Sequence, residues 1–219
     1  LAVDTNGDGI GDGINLGLAA ALVTAGITGT GSTLDLRVTF NSNSGSEEIG
    51  FDDLKITGVM PLTGDGTSNI LTGDADNNII LGLAGADFLF GLDGADTLDG
   101  GTENDKLEGG LGADTLIGGD GIDTAKYINA ASGVIVDLVN GGTGGEATGD
   151  TYNSVERVEG SDFGDTITGT TGNNALLGRG GMDTLNGGDG ADTLRGGADN
   201  DILNGGNQRD RLEGGAGAD

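Results

Sequence analysis

No cysteine, histidine or tryptophan occurs in the 219 residues, proline appears once, and only 3% of the chain is aromatic. Without cysteine no disulfide framework can hold the fold, and without cysteine or histidine a zinc or iron site lacks its usual ligands. Cations are scarce too: nine Lys and Arg stand against 36 Asp and Glu, a formal net charge of −27. Such a balance leaves no basic surface to meet a phosphate backbone, which argues against nucleic-acid binding. A membrane-spanning helix needs about 18 consecutive apolar residues, and the strongest apolar run here, Ile14 to Ile27, is short and broken by glycine. No signal peptide is visible at Leu1, which is not an initiator Met. The motif H-E-x-x-H is impossible without histidine and G-x-S-x-G is absent, so no catalysis is expected from this stretch.

What the chain has in excess is glycine, 49 residues of it, and the glycine is periodic. Nine-residue copies start at Gly64, 73, 82, 91, 100, 109 and 118, and again at Gly160, 169, 178, 187, 196, 205 and 214. Counting from that glycine, position 6 is Asp in Asp87, Asp96, Asp105, Asp114, Asp123, Asp165, Asp183, Asp192, Asp201, Asp210 and Asp219, and Asn in Asn69, Asn78 and Asn174. Each of these side chains ends in an oxygen acceptor, as a hard cation such as Ca²⁺ requires. Position 8 is apolar in every complete copy, from Leu71 and Ile80 through Ala125 and Ile167 to Leu212, while positions 7 and 9 admit Lys106, Glu108, Arg195, Arg211 and Glu213. An apolar residue between polar flanks predicts a three-residue strand with one buried face, which leaves six residues for a turn. Glycine suits that turn, because it reaches positive φ and lets backbone approach an ion. Position 4 is Thr67, Asp76, Glu103, Phe163, Asp199 or Gln208 in six copies, so strain is expected at Phe163 and Gln208.

The clearest copies, Gly91-Leu-Asp-Gly-Ala-Asp-Thr-Leu-Asp99, Gly109-Gly-Leu-Gly-Ala-Asp-Thr-Leu-Ile117 and Gly187-Gly-Asp-Gly-Ala-Asp-Thr-Leu-Arg195, follow G-G-x-G-x-D-x-U-x. This resembles the RTX (repeats in toxin, haemolysin-type) calcium-binding nonapeptide over residues 64 to 219. The resemblance implies an all-β fold, a right-handed parallel β-roll in two stacked arrays, with two nonapeptides to each coil. It implies Ca²⁺ ions between stacked turns, bridged by position-6 side chains two copies apart: Asp87 with Asp105, Asp96 with Asp114, Asp105 with Asp123, Asp183 with Asp201, Asp192 with Asp210. Main-chain carbonyls at the turn glycines Gly85, Gly94, Gly110, Gly112, Gly119, Gly121, Gly181, Gly188, Gly190 and Gly197 would complete the coordination. Full occupancy is expected from 82 to 123 and from 178 to 201. Two other readings stay open: a disordered acidic linker, against which the strict position 8 argues, and a metal-free solenoid, whose stacked carboxylates lack a counter-charge.

Ordering each residue costs about 1–2 kcal/mol of backbone entropy, and more for glycine. Ligands assembled only on folding convert calcium binding into folding free energy, so disorder without calcium and a rigid rod with it are expected.

Outside the repeats, residues 127–159 break the phase. Val134, Val136 and Leu138 alternate, and Asn153-Ser-Val-Glu-Arg-Val-Glu-Gly160 leads into the second array. This stretch resembles the β connector between RTX arrays in serralysin-like exoproteins, and is read as structural. Near the start, Asp4, Asn6, Asp8, the Ile10 carbonyl and Asp12 resemble the opening of EF-hand-like and thrombospondin type 3 calcium loops, with Gly9 at the turn and Asn15 where a bidentate Glu is expected. A Gly-Asp surface loop is the alternative there. Leu34 to Phe40 alternates as a strand, and with Gly45 to Gly58 it resembles the last hairpin of a secreted β-sandwich domain. Glu47, Glu48, Asp52 and Asp53 read as solvated strand and turn acids rather than glycosidase carboxylates.

The expected organisation is 1–63 as the tail of an upstream β-sandwich-like domain with a calcium-type loop over 4–15, then a first array over 64–126, a connector over 127–159 and a second array over 160–219. The chain stops at position 6 of an unfinished copy, which predicts a cap and secretion signal beyond it. The function expected is a non-catalytic, calcium-folded module of a secreted or cell-surface protein of a Gram-negative bacterium, exported by type I secretion. It would stabilise an upstream effector of the same chain. The alternatives are the tail of a secreted protease, nuclease, lipase or epimerase, and an adhesin or S-layer-like protein that self-associates through calcium.

Overall fold

The computed structural model describes Ala2–Val3, Asp12–Gly13 and residues 61–218. The chain divides into two units, Leu1–Lys55 and Ile56–Asp219. In the first, Ala2–Val3 pairs antiparallel with Asp12–Gly13. The remaining candidate loop ligands Asp4, Asn6, Asp8 and Ile10, the expected strands over 34–58, and Asp219 lie outside the described residues.

The second unit is a parallel β-roll. Successive strands of one sheet pair in parallel, with Leu89 opposite Leu107, Leu98 opposite Leu116 and Leu185 opposite Leu203. Each coil therefore consumes two nonapeptides. One sheet of eight strands runs the whole length, from Ile70–Thr72 through Phe88–Asp93, Lys106–Leu111, Thr124–Lys126, Arg157–Glu159, Ala175–Arg179 and Thr193–Ala198 to Arg211–Ala216. The other side is divided into a five-stranded sheet ending at Thr151–Asn153 and a four-stranded sheet beginning at Ile135–Asp137.

Position 8 from both sides fills one core: Ile80, Leu89, Leu98, Leu107, Leu116, Ala125, Ile167, Leu176, Leu185 and Leu194 are buried, with connector residues Tyr127, Val134, Val136 and Val158 among them. At the last described coils Leu203 is only partly buried and Leu212 is exposed, because among the described residues no further coil covers them. Positions 7 and 9 point outward, where Arg195 and Glu213 pair at 3.0 Å.

The strands are longer than the sequence predicts. Phe88–Asp93, Thr97–Thr102 and Lys106–Leu111 each have six residues, since pairing continues into positions 1 to 3 of the next copy, as in Leu92 with Gly110. Position 1 faces inward like position 8, so Gly91 and Gly100 are buried where a side chain would meet the position-6 aspartate of the same copy and, at Gly91, the Gly109 carbonyl of the next coil.

The connector keeps the stacking on the long side, where Thr124–Lys126 pairs with Arg157–Glu159. On the other side the chain crosses over. Ile135–Asp137 joins the second array by pairing with Thr166–Thr168, and the later Thr151–Asn153 returns to cap the first array on Thr115–Asp120. Among the described residues no helix is long and apolar enough to cross a membrane.

Candidate metal centres along the edges of the roll

The turns of alternate copies stack into two edges, and in each edge position 6 meets position 6. The N–H of Asp87 donates to Asp105 Oδ1 at 2.8 Å, Asp96 to Asp114 at 2.8 Å, Asp105 to Asp123 at 2.7 Å, Asp183 to Asp201 at 2.9 Å and Asp192 to Asp210 at 3.0 Å. The five pairs expected from the sequence are thus neighbours in the stacks. Each carboxylate spends one oxygen on a backbone N–H of the preceding coil, which orients the other.

That second oxygen is bare. Oδ2 of Asp87, Asp96, Asp105, Asp114, Asp123, Asp183 and Asp192 makes no hydrogen bond, although these residues are at most 2% exposed. A buried unpaired carboxylate oxygen is costly, and a native fold does not repeat the cost turn after turn without a partner for it. The carboxyls register this. Burial, against the lowering effect of the N–H bond, pushes Asp105 and Asp114 up to about 6 and Asp183 up to about 7, with neighbouring acids adding to the rise. Burial likewise raises Asp87, Asp96, Asp123 and Asp192.

The residues present fit a hard divalent cation. Among the described residues no three acidic side chains are arranged to hold a metal by themselves, so an ion must draw on main-chain carbonyls for the rest of its six to eight oxygens. Those carbonyls are close by. A Cβ added to Gly82 would lie 2.5 Å from Asp87 Oδ2 and 2.5 Å from the Gly100 carbonyl oxygen of the next coil. All ten turn glycines singled out in the sequence have positive φ, from +91° at Gly181 to +152° at Gly121.

The turns fall into two classes that the sequence reading did not separate. Where position 2 has positive φ, as at Leu83, Leu92, Gly101, Gly110, Gly119, Arg179 and Gly188, the position-6 Oδ2 is bare. Where position 2 is Asp65, Asp74, Ser161 or Thr170, its N–H instead turns inward and caps the position-6 oxygen of the same copy. The distances are 2.8 Å to Asn69 Oδ1, 2.7 Å to Asn78 Oδ1, 2.7 Å to Asp165 Oδ2 and 2.7 Å to Asn174 Oδ1. The first class is open and the second closed, and the two closed turns come first in each array. The open turns begin at copies 82 and 178, where full occupancy is expected from the sequence.

The strain expected at Phe163 is absent. Its φ is not positive, because Ser161 Oγ accepts the Phe163 N–H at 3.0 Å and rebuilds a closed turn. Gln208 does carry positive φ, at +80°, as do Glu103 and Asp199. Glu103 compensates by accepting the Gly85 N–H of the preceding coil at 2.8 Å. Two further acids occupy position-6 places in the stacks although they lie outside the repeats. Asp150 accepts the Asp114 N–H at 2.9 Å and Glu156 accepts the Asp123 N–H at 3.0 Å. Each lies two residues before an inward residue, Tyr152 and Val158, the same acid-x-core spacing as in the repeats, and that spacing could have found them.

A family model, the RTX calcium-binding nonapeptide repeat, matches in four copies at residues 63–98, 90–125, 159–194 and 186–219, together more than half of the chain. Among curated proteins none matches.

Proposed function

Because this chain belongs to the RTX calcium-binding nonapeptide repeat family, and so is a calcium-binding repeat module, we propose that calcium fills its open turns and that this filling is what folds the roll. The observation that carries the reading is the series of buried, bare carboxylate oxygens along both edges. The ligands are Asp87, Asp96, Asp105, Asp114 and Asp123 in the first array and Asp183, Asp192, Asp201 and Asp210 in the second, with the turn glycine carbonyls beside them. The closed turns at Asn69, Asn78, Asp165 and Asn174 have satisfied their oxygens within the chain and start each array without an ion. Calcium supplies the positive charge that the stacked carboxylates lack.

The module is itself non-catalytic and belongs to a secreted or cell-surface bacterial protein, as is typical of the family. A chain that folds only at the 10⁻⁴–10⁻³ M calcium of extracellular modules can be exported unfolded and become rigid outside, stabilising an effector domain carried on the same chain. Residues 64–126 and 160–219 act as the two arrays, and 127–159 as a structural join.

Asp96→Ala tests the assignment. Asp96 sits in the stack Asn78, Asp96, Asp114, Asp150, which ends at the connector. The substitution is expected to lower the calcium count, measured by equilibrium dialysis, at the sites on either side of turn 91–96 and to leave the second array unchanged. Equal loss in both arrays contradicts separate stacks.

A further inference from the structure

The two position-6 places outside the repeats differ in one respect that matters for an ion. Asp150 has no oxygen to offer: Oδ1 accepts the Asp114 N–H, and Oδ2 accepts the Tyr127 hydroxyl at 2.7 Å, inside a buried cluster with Tyr152. Across the crossover, Asp165 is equally saturated, with Oδ1 taking the Val134 N–H and Oδ2 the Ser161 N–H. On that edge the ladder of open carboxylates is interrupted between the arrays.

On the other edge it runs one place further, to Glu156, before the closed turn at Asn174. Glu156 Oε2 takes the Asp123 N–H, as a repeat aspartate does, and Oε1 accepts no hydrogen bond among the described residues. Opposite it, Asp123 is fully buried with Oδ2 bare. That oxygen points into the gap beside Gly118, where an added Cβ would lie 2.6 Å from Asp123 Oδ2 and collide with the Ser154 carbonyl oxygen. The Ser154 carbonyl thus occupies the place that the next coil's glycine carbonyl occupies beside Gly82, and Ser154 reaches it with φ of +51°. Three residues, Ser154, Val155 and Glu156, stand here where a repeat has its positions 1 to 6. The glutamate's extra methylene restores the reach that the short turn lacks. Burial raises the Asp123 carboxyl, the Asp105 N–H opposes that rise, and the charge of Glu156 adds to it. Neither acid has a cationic side chain paired with it among the described residues.

We propose that Asp123, Glu156 and the Ser154 carbonyl hold a calcium ion at the join between the arrays, outside the repeats, so that one edge of the roll carries its ladder of ions into the connector. The proposal rests on calcium filling the open turns, and its test separates the two.

The chain has its own reporter. Tyr127 and Tyr152 are the only tyrosines and there is no tryptophan. Tyr152 lines a cleft of about 250 Å³ together with Ser154 and Glu156. Terbium, a hard cation of similar size to calcium, emits when excited through a nearby tyrosine, so tyrosine-sensitised emission from the full chain reads the ions nearest this pair, at the join and in the Asp114 turn. The parent is expected to show emission that calcium displaces. Glu156→Gln is expected to lose the join's share of that emission and to keep the share from the Asp114 turn, with a calcium count lower by a single ion and the β signal at saturating calcium retained. Glu156→Asp keeps the charge on a shorter arm and is expected to bind terbium about tenfold more weakly. Glu159→Gln, whose carboxylate faces outward on Arg179 at 2.9 Å, is expected to match the parent. Parent-like emission in both Glu156 variants, or equal loss in Glu159→Gln, overturns the proposal. A parent that binds neither terbium nor calcium overturns the filling of the open turns as well.

Discussion

Acidifying the calcium-free chain from about pH 7.5 to about pH 5 is expected to order the roll, and the same change in saturating calcium is expected to loosen it. The buried carboxyls of Asp105, Asp114 and Asp150 lie at about 6 and that of Asp183 at about 7 in the metal-free roll, all raised first by burial from an ordinary value of 3.8. A raised carboxyl means that the folded state holds more protons than the unfolded chain between those values. The contribution is therefore fully present below about pH 4 and is lost as pH rises through about 6 to 7. Without calcium, neutral pH is where the roll is least favoured. With calcium the sign reverses, because the proton and the ion compete for the same bare Oδ2, and affinity falls as pH falls through that window. Circular dichroism at constant ionic strength, in chelator and in calcium, measures both limbs. A calcium-free chain that loses β signal on acidification contradicts this reading of the carboxyls.

A single methyl group is expected to be refused at the inward glycine of position 1 and accepted at an outward one. Gly82 has ordinary φ, so alanine there meets no backbone objection, yet its Cβ would sit 2.5 Å from both Asp87 Oδ2 and the Gly100 carbonyl oxygen. Backbone on one side and a fixed carboxylate on the other cannot both retreat. Gly82→Ala is therefore expected to cost about 1–3 kcal/mol of stability in calcium and to abolish the site beside Asp87. Gly66→Ala is the comparison, with nothing within 4 Å of its Cβ. It lies in a closed turn and is expected to be neutral or to stabilise by up to about 1 kcal/mol through the unfolded chain. Thermal unfolding at fixed free calcium reads both, and equal destabilisation by the two variants contradicts the packing of position 1 against the next coil.

Much of this architecture was legible in the sequence because two positions in nine each repeat one physical demand. The apolar residue at position 8, from Ile80 to Leu194, and the oxygen-bearing residue at position 6 recur in phase, and two copies to a coil then stack like on like. The extent of the strands was not legible. Glycines at positions 1 and 2 look like turn residues, yet here they continue the parallel ladder. Nor was the division into open and closed turns, which is decided at position 2. Leu83, Leu92 and Arg179 take positive φ there, which their residue types disfavour. Asp65 and Ser161 bend their N–H groups inward instead. Asp150 and Glu156 fell outside a nine-residue count because the connector changes the spacing, to 36 residues from Asp114 and 33 from Asp123. The acid-x-core spacing before Tyr152 and Val158 marks them locally, and the pairing of strands brings them into line.

The most direct measurement is far-ultraviolet circular dichroism of this chain during a calcium titration at neutral pH, with magnesium as the control. The account predicts little β signal in chelator and a cooperative rise to a β spectrum as calcium approaches about 10⁻⁴–10⁻³ M. Magnesium, smaller and reluctant to shed its water, is expected to leave the signal unchanged. A chain already rich in β structure in chelator, and unmoved by calcium, would contradict it.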